Sequence, residues 1–147
     1  MADTEAWLPA RSTPALVQLL AQASAARVSE ALAARGLTEI RPGHSLLLVP
    51  LLGGAWHASE LAAHLGVSRQ AVAQLVATLE RGGYVGRVAD PGDARAKLIC
   101  LTARGRLALR VMRSSAQLLE REWEERLGPD GLAQLRVTLG TLLGGAG

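Results

Sequence analysis

The fold is decided by Arg87-Val88-Ala89-Asp90-Pro91-Gly92-Asp93-Ala94-Arg95-Ala96-Lys97-Leu98-Ile99-Cys100-Leu101-Thr102-Ala103-Arg104-Gly105. Two short runs of strand-favouring residues, Tyr84 to Val88 and Leu98 to Leu101, flank a segment rich in turn formers, Ala89-Asp90-Pro91-Gly92-Asp93. In such a segment Pro presets φ, Gly accepts positive φ, and Asp side chains bond back to the backbone. The spacing predicts a β-hairpin. Arg87 falls in the first run, and Arg95 and Lys97 lie between the turn formers and the second run.

Working upstream, a short helix is expected from about Ala58 to His64, followed by a tight turn at Leu65-Gly66-Val67 and a helix capped by Ser68. That second helix bears Val72, Leu75, Val76 and Leu79, an i, i+3, i+4, i+7 stripe, and Gly82-Gly83 ends it. Ala62 lies four residues before Gly66 and Val72 six after it. A small residue lets two helices approach, Gly takes the left-handed turn, and a branched apolar side chain locks the second helix onto the first. This is the spacing of a helix-turn-helix. Subtracting the apolar stripe leaves Ser68, Arg69, Gln70, Ala73, Gln74 and Ala77 outward, with no carboxylate before Glu80. Arg forks to guanine, Gln pairs with adenine, and Ala meets a thymine methyl, so the face suits a major groove. An ordinary amphipathic helix with its polar side in water has the same pattern, and the hairpin that follows tips the balance.

At the outer ends, Ser12-Thr13-Pro14 opens a helix carrying Leu16, Leu19, Leu20, Ala23, Ala26 and Val28 as far as Arg35-Gly36. Another starts near Pro42 with Leu46, Leu47, Val49 and Leu52; Pro50 should bend or shorten it, and Gly53-Gly54 ends it. Downstream, a long helix runs from Thr102 to about Leu127 with Leu107, Val111, Leu118 and Leu119, and Gly128-Pro129-Asp130 breaks it. A final helix carries Leu132, Leu135, Val137, Leu139 and Leu142. The fold class is mostly α with a small β-hairpin wing.

The chain has 147 residues, 49% hydrophobic and 20% charged, which is enough for a packed core. No run approaches the roughly 20 apolar residues of a membrane span. The acidic start Met1-Ala2-Asp3-Thr4-Glu5 is not a secretory signal, so a cytoplasmic protein is expected. The net charge of +3 alone does not point to nucleic acid. Its carriers are nearly all Arg, with Lys97 the sole lysine, a bias that GC-rich coding also produces. Cys100, the single cysteine, excludes an internal disulfide and a multi-cysteine metal site.

The segment Asp93-x-Arg95-x-Lys97, the helix start Leu101-Thr102-x-x-Gly105, and upstream Ser59-Glu60-Leu61-Ala62, Gly66-Val67-Ser68 and Leu79-Glu80-Arg81-Gly82-Gly83-Tyr84-Val85 resemble the MarR family of transcriptional regulators over about residues 12 to 143. The resemblance implies a winged helix-turn-helix protein that binds double-stranded DNA, with Arg95 at or near the wing tip entering a minor groove, where narrow geometry concentrates negative potential. It implies that Asp93 braces the wing by pairing with a basic neighbour, and that Arg87 and Lys97 lie close to phosphates. It further implies an N-terminal dimerisation helix in 1–40, a DNA-binding region in 41–101 and C-terminal dimerisation helices in 102–147. The homodimer would bind an inverted-repeat operator, act as a repressor, and release DNA when a small aromatic effector enters a cleft between the dimer helices and the reading head. No cofactor is implied. The chain departs from the family pattern at Ala94, where a second Arg is common, at Trp56, in place of a smaller apolar residue, and at His57, in place of a hydroxyl cap.

Trp7, His44, Trp56 and Trp123 are candidate cleft residues, although packing or surface exposure explains each equally well. A redox-responsive regulator would use Cys100, but its mid-strand setting favours a packed thiol. A metal-responsive one would use His57, Glu60 and His64, whose spacing lacks a strong metal signature. An enzyme is disfavoured: no phosphate loop, Gly-x-Ser-x-Gly elbow or His-Glu-x-x-His is present. Glu120, Glu122, Glu124 and Glu125 alternate with Arg121 and Arg126 as a solvated helix face. A winged helix used only for protein contacts is the remaining alternative.

Overall fold

A computed structural model of the chain describes residues 12–145, so Trp7 lies outside the described residues. Helix α1 (Thr13–Ala34) begins where Ser12 Oγ accepts the Ala15 N–H at 3.4 Å, and it stops as Gly36 turns left-handed at φ +68°. Leu37 and Ile40 bury as the chain enters a 3₁₀ turn (Pro42–His44), α2 (Ser45–Leu48) and a second 3₁₀ turn (Pro50–Gly53). Pro50 shortens the helix as expected, and the tighter turn after it shifts the inward phase. Leu47, Leu48 and Leu51 are buried, whereas the expected core positions Leu46, Val49 and Leu52 are exposed, Leu46 by 71%. A 3.6-residue period therefore misplaces the stripe across a proline.

Helices α3 (Ala58–Leu65) and α4 (Arg69–Arg81) precede the antiparallel strands β1 (Val85–Asp90) and β2 (Asp93–Leu101). Both strands extend further toward the turn than expected, leaving only Pro91 and Gly92 between them. Asp90 Oδ1 closes that turn by accepting the Gly92 N–H at 2.8 Å. The register pairs Val85 with Leu101 and Arg87 with Ile99, then slips at Ala89/Asp90. Leu32, Leu47, Leu48, Leu51, Leu61, Val72, Val76, Leu79, Tyr84, Ile99 and Ala108 form one core. Helix α5 (Ala103–Leu142) is broken where Gly128 leaves helical geometry at φ 73°, ψ 165°, just before Pro129.

The described residues form two compact units dividing between Met112 and Arg113. In the second, Arg136 Nη2 reaches Glu120 Oε1 at 2.9 Å across the break at Gly128. Leu118, Leu127, Val137, Leu142 and Leu143 of that unit are exposed, as are Leu16, Val17, Leu19 and Leu20 of α1 in the first. Among the described residues, no helix is long and apolar enough to cross a membrane.

The first unit closes around Tyr84. Its hydroxyl donates to the Thr38 carbonyl, Arg104 lies over its ring at 5.0 Å, and Arg104 donates to the carbonyls of Gly82 at 3.0 Å and Gly36 at 2.9 Å. Thr102 Oγ1 donates to the Gly83 carbonyl at 2.6 Å and accepts the Gly105 N–H at 3.0 Å, capping α5. The start of α5 then lies so close to the strand that a Cβ at Gly105 would stand 2.1 Å from the Tyr84 carbonyl oxygen. This close approach explains the glycine in Leu101-Thr102-x-x-Gly105. Gly105→Ala should therefore cost more than about 3 kcal/mol or prevent folding, read by urea unfolding. Gly140→Ala, whose added Cβ meets nothing within 4 Å, should cost nothing.

His44 supplies a second expectation. Its Nδ1 accepts the Arg41 backbone N–H at 3.1 Å, a contact open only to the unprotonated nitrogen. Burial, and secondarily the Arg41 charge, lowers its pKa. Because the folded value is lowered, the unfolded chain binds the proton more readily. The stabilisation is complete above the ordinary imidazole value of about 6.5 and is lost as pH falls through the lowered one. Unfolding free energy should decline from about pH 7.5 to about pH 5.5. In His44→Asn, whose Oδ1 stands near the Nδ1 position and can accept the Arg41 N–H, the slope should be shallower.

Candidate nucleic-acid interface

Between α3 and α4 the chain turns at Gly66, φ 66°, and the Val67 N–H returns to the Ala62 carbonyl at 3.1 Å. Ser68 Oγ then accepts the Ala71 N–H at 3.1 Å, which starts α4. Val72, Val76 and Leu79 face the core, and Leu75 is half-buried. This geometry leaves Ser68, Arg69, Gln70, Ala73 and Gln74 exposed in the first two turns of α4. Ala77, expected on the same face, is half-buried. Among the described residues, no hydrogen bond or ion pair inside the chain engages the side chains of Arg69, Gln70 or Gln74.

The hairpin projects beside this helix. Trp56 anchors its base by pairing with Ile99 through the backbone, N to O at 2.9 Å and O to N at 2.8 Å. Arg95 and Lys97 are exposed on β2 with free side chains among the described residues. Arg95 stands two residues beyond Asp93, the first residue after the turn, and so lies near the tip of the hairpin. Asp93 Oδ1 accepts the backbone N–H of Arg95 at 2.9 Å, so its brace runs through the backbone and not through a basic side chain. Arg87 is differently placed: its Nε lies 3.3 Å from Glu80 Oε1, joining the end of α4 to β1. Both partners are about two-fifths exposed, so the pair contributes little to stability and mainly orients the guanidinium.

His57 is the N-cap of α3, where Glu60 Oε2 accepts its backbone N–H at 2.9 Å. Its Nε2 lies 3.0 Å from Asp90 Oδ2. His64 instead meets the Trp56 ring, centroids 5.2 Å apart. The two histidines are thus used separately, and no group of three metal-capable side chains converges among the described residues. Cys100 is half-buried on β2, opposite Gly86. Of the candidate cleft residues, His44 lines a groove of about 530 Å³ with Glu39, Ile40, Arg41, Leu75, Thr78 and Arg81. Trp56 is packed at the base of the hairpin and does not line it. Trp123 is half-buried in the second unit.

Residues 51–96 match the model of the MarR family, a span that takes in the helix-turn-helix and most of the hairpin. The fold is that of a probable transcriptional regulator from Pseudomonas aeruginosa, with a TM-score of 0.67 and 22% identity over 90% of this chain and 97% of that one. It is also that of CouR from Rhodococcus jostii RHA1, bound to p-coumaroyl-CoA, with a TM-score of 0.62 and 25% identity over 90% of this chain and 92% of that one. PcaV from Streptomyces coelicolor, a transcriptional regulator in complex with its natural ligand, gives 0.62 and 21% over 94% and 96%. No curated protein sequence matches the chain. The helix-turn-helix and most of the hairpin thus match the MarR family, and nearly the full length of the chain has the winged-helix fold of solved MarR-family proteins.

Proposed function

We propose that the chain is a sequence-specific DNA-binding regulator of transcription that works as a homodimer on an inverted repeat. The observation that carries this reading is the pairing of two unengaged surfaces. The exposed Arg69, Gln70 and Gln74 of α4 stand beside a hairpin that holds Arg95 and Lys97 free of internal partners. Gln and Arg on a narrow helix face suit base edges in a major groove, and Ala73 leaves room for close approach. Arg95 on the adjacent arm suits a minor groove. Arg87 stays tied to Glu80 and would meet phosphates from that fixed position. The reading is of a binding protein and not of an enzyme.

The exposed leucines of α1 and, separately, those of the second unit support a dimer. Leu16, Val17, Leu19 and Leu20 lie 42–51% exposed on successive turns, an apolar surface that one protomer leaves in water. Two reading helices about 34–36 Å apart would then meet successive major grooves. Repression follows most directly, because a dimer seated on a promoter blocks it without any activating surface. The groove beside His44 has an apolar floor from Ile40 and Leu75 and cations at Arg41 and Arg81. With Glu39 also at its edge, it suits a small aromatic effector with polar groups, which would act by favouring a head spacing that does not fit the operator.

Selection of duplexes from a random library by the purified chain tests the DNA reading. An inverted repeat should emerge, with affinity falling steeply as salt rises because phosphate contacts release counterions. Gln74→Ala should relax selectivity at one base position at a cost of about 1–3 kcal/mol, whereas Lys97→Ala should weaken all duplexes alike. An empty selection would sink the reading. For the dimer, sedimentation equilibrium should return twice the protomer mass, and Leu16→Asp with Leu20→Asp should return a monomer. A wild-type monomer contradicts the proposed assembly.

A further inference from the structure

We propose that His57 is the positioning residue of the wing: its imidazole ties the far end of the hairpin to the start of α3 and so sets the angle at which Arg95 is presented. The inference rests on the DNA reading for its consequence, but its structural part stands without it. A two-stranded hairpin with no third strand is marginal in water. This one is held to the reading head at its base, where the Trp56 backbone pairs with Ile99 and where Arg87 meets Glu80. Beyond that level Val88 and Ala89 are exposed and hold nothing. Asp90, the last residue of β1, is where contact resumes.

The Asp90 carboxylate is divided between two tasks. Oδ1 accepts the Gly92 N–H and shapes the Pro91-Gly92 turn, while Oδ2 lies 3.0 Å from His57 Nε2, the separation of an imidazole N–H donating to a carboxylate. At the register slip Asp90 pairs with Asp93 while Ala94, Arg95 and Ala96 of β2 have no partner in β1, so the segment that carries Arg95 depends on how Asp90 is held. His57 is itself rigidly placed. Trp56 before it is fixed by the bridge to Ile99, and its own N–H is held by Glu60 Oε2 at 2.9 Å. The Asp90 side chain is 19% exposed and that of His57 36%, so the contact is partly shielded from water. With the strut, turn, arm and reading head are linked at both ends. Without it, everything past Ile99 pivots on the base.

The test combines amide hydrogen exchange on the free full-length protein with affinity for the selected duplex. In His57→Ala, exchange of the distal hairpin amides should quicken about fivefold or more while α3 and α4 are unchanged. Duplex affinity should fall about tenfold. The added loss from Arg95→Ala should shrink in that background, because the arm is no longer aimed. His57→Gln, which restores an N–H donor near the imidazole Nε2 position, should recover both readouts, a rescue that a general packing role would not give. Should His57→Ala fail to fold, His57→Asn, too short to reach Asp90, serves as the broken strut. Unchanged distal exchange overturns the proposal, and so does an Arg95→Ala loss that stays fully additive. If neither wild type nor any variant binds duplex, exchange still decides whether His57 holds the wing, and the failure belongs to the DNA reading alone.

Discussion

The close approach of α5 to the Tyr84 backbone is the constraint on which the first unit depends. Gly105 permits it, since any side chain there would collide with the Tyr84 carbonyl oxygen. Once that contact forms, Arg104 falls over the Tyr84 ring and reaches the carbonyls of Gly36 and Gly82, while Tyr84 reaches Thr38. The link after α1, the end of α4, the first residue before β1 and the start of α5 are thereby tied at one place. Tyr84 is buried at this junction while Arg104 is exposed, and together they bond to several elements at once, so loss of one element removes partners from the others. The exposed face of α4 and the hairpin consequently share an anchor, which is what two surfaces acting on one rigid partner require.

The basic residues divide by what they touch. Arg104 and Arg87 are spent inside the chain, one on carbonyls and the Tyr84 ring, the other on Glu80. Arg69, Arg95 and Lys97 have no internal partner among the described residues and face water. A net charge of +3 says little about nucleic acid, but free guanidinium groups on two adjacent projecting elements say more. Two protomers would carry +3 each, +6 together, concentrated by geometry rather than by total charge. The groove lined by Arg41, His44 and Arg81 backs onto α4 through Leu75 and Thr78. An occupant there would bear directly on the helix proposed to read DNA.

Much of this architecture was legible in the residues. Caps at Ser12 and Ser68, the left-handed turn at Gly66, the stripe of Val72, Val76 and Leu79, and the break at Gly128 are local features, and local chemistry predicts them. The misplacement of Leu46, Val49 and Leu52 came from carrying one helical period across Pro50, where the chain tightens. The strands run longer than their residue types predict because Asp90 and Asp93, which resemble loop residues, each close a bond to nearby backbone. The contacts of Arg104, 22 residues from Gly82 and 68 from Gly36, had no sequence signal beyond the glycine that follows it. His57 did have one: it stands where a hydroxyl cap is usual, and that departure marks the residue that reaches Asp90.

Hydroxyl-radical footprinting of the full chain on its selected duplex tests whether α4 and the hairpin act as paired reading elements. If they do, two blocks of protection appear one helical turn apart, each flanked on its outer side by a minor-groove protection that disappears in Arg95→Ala. Uniform protection along the duplex, or blocks unaltered by Arg95→Ala, would contradict the assignment of α4 and the hairpin as paired reading elements.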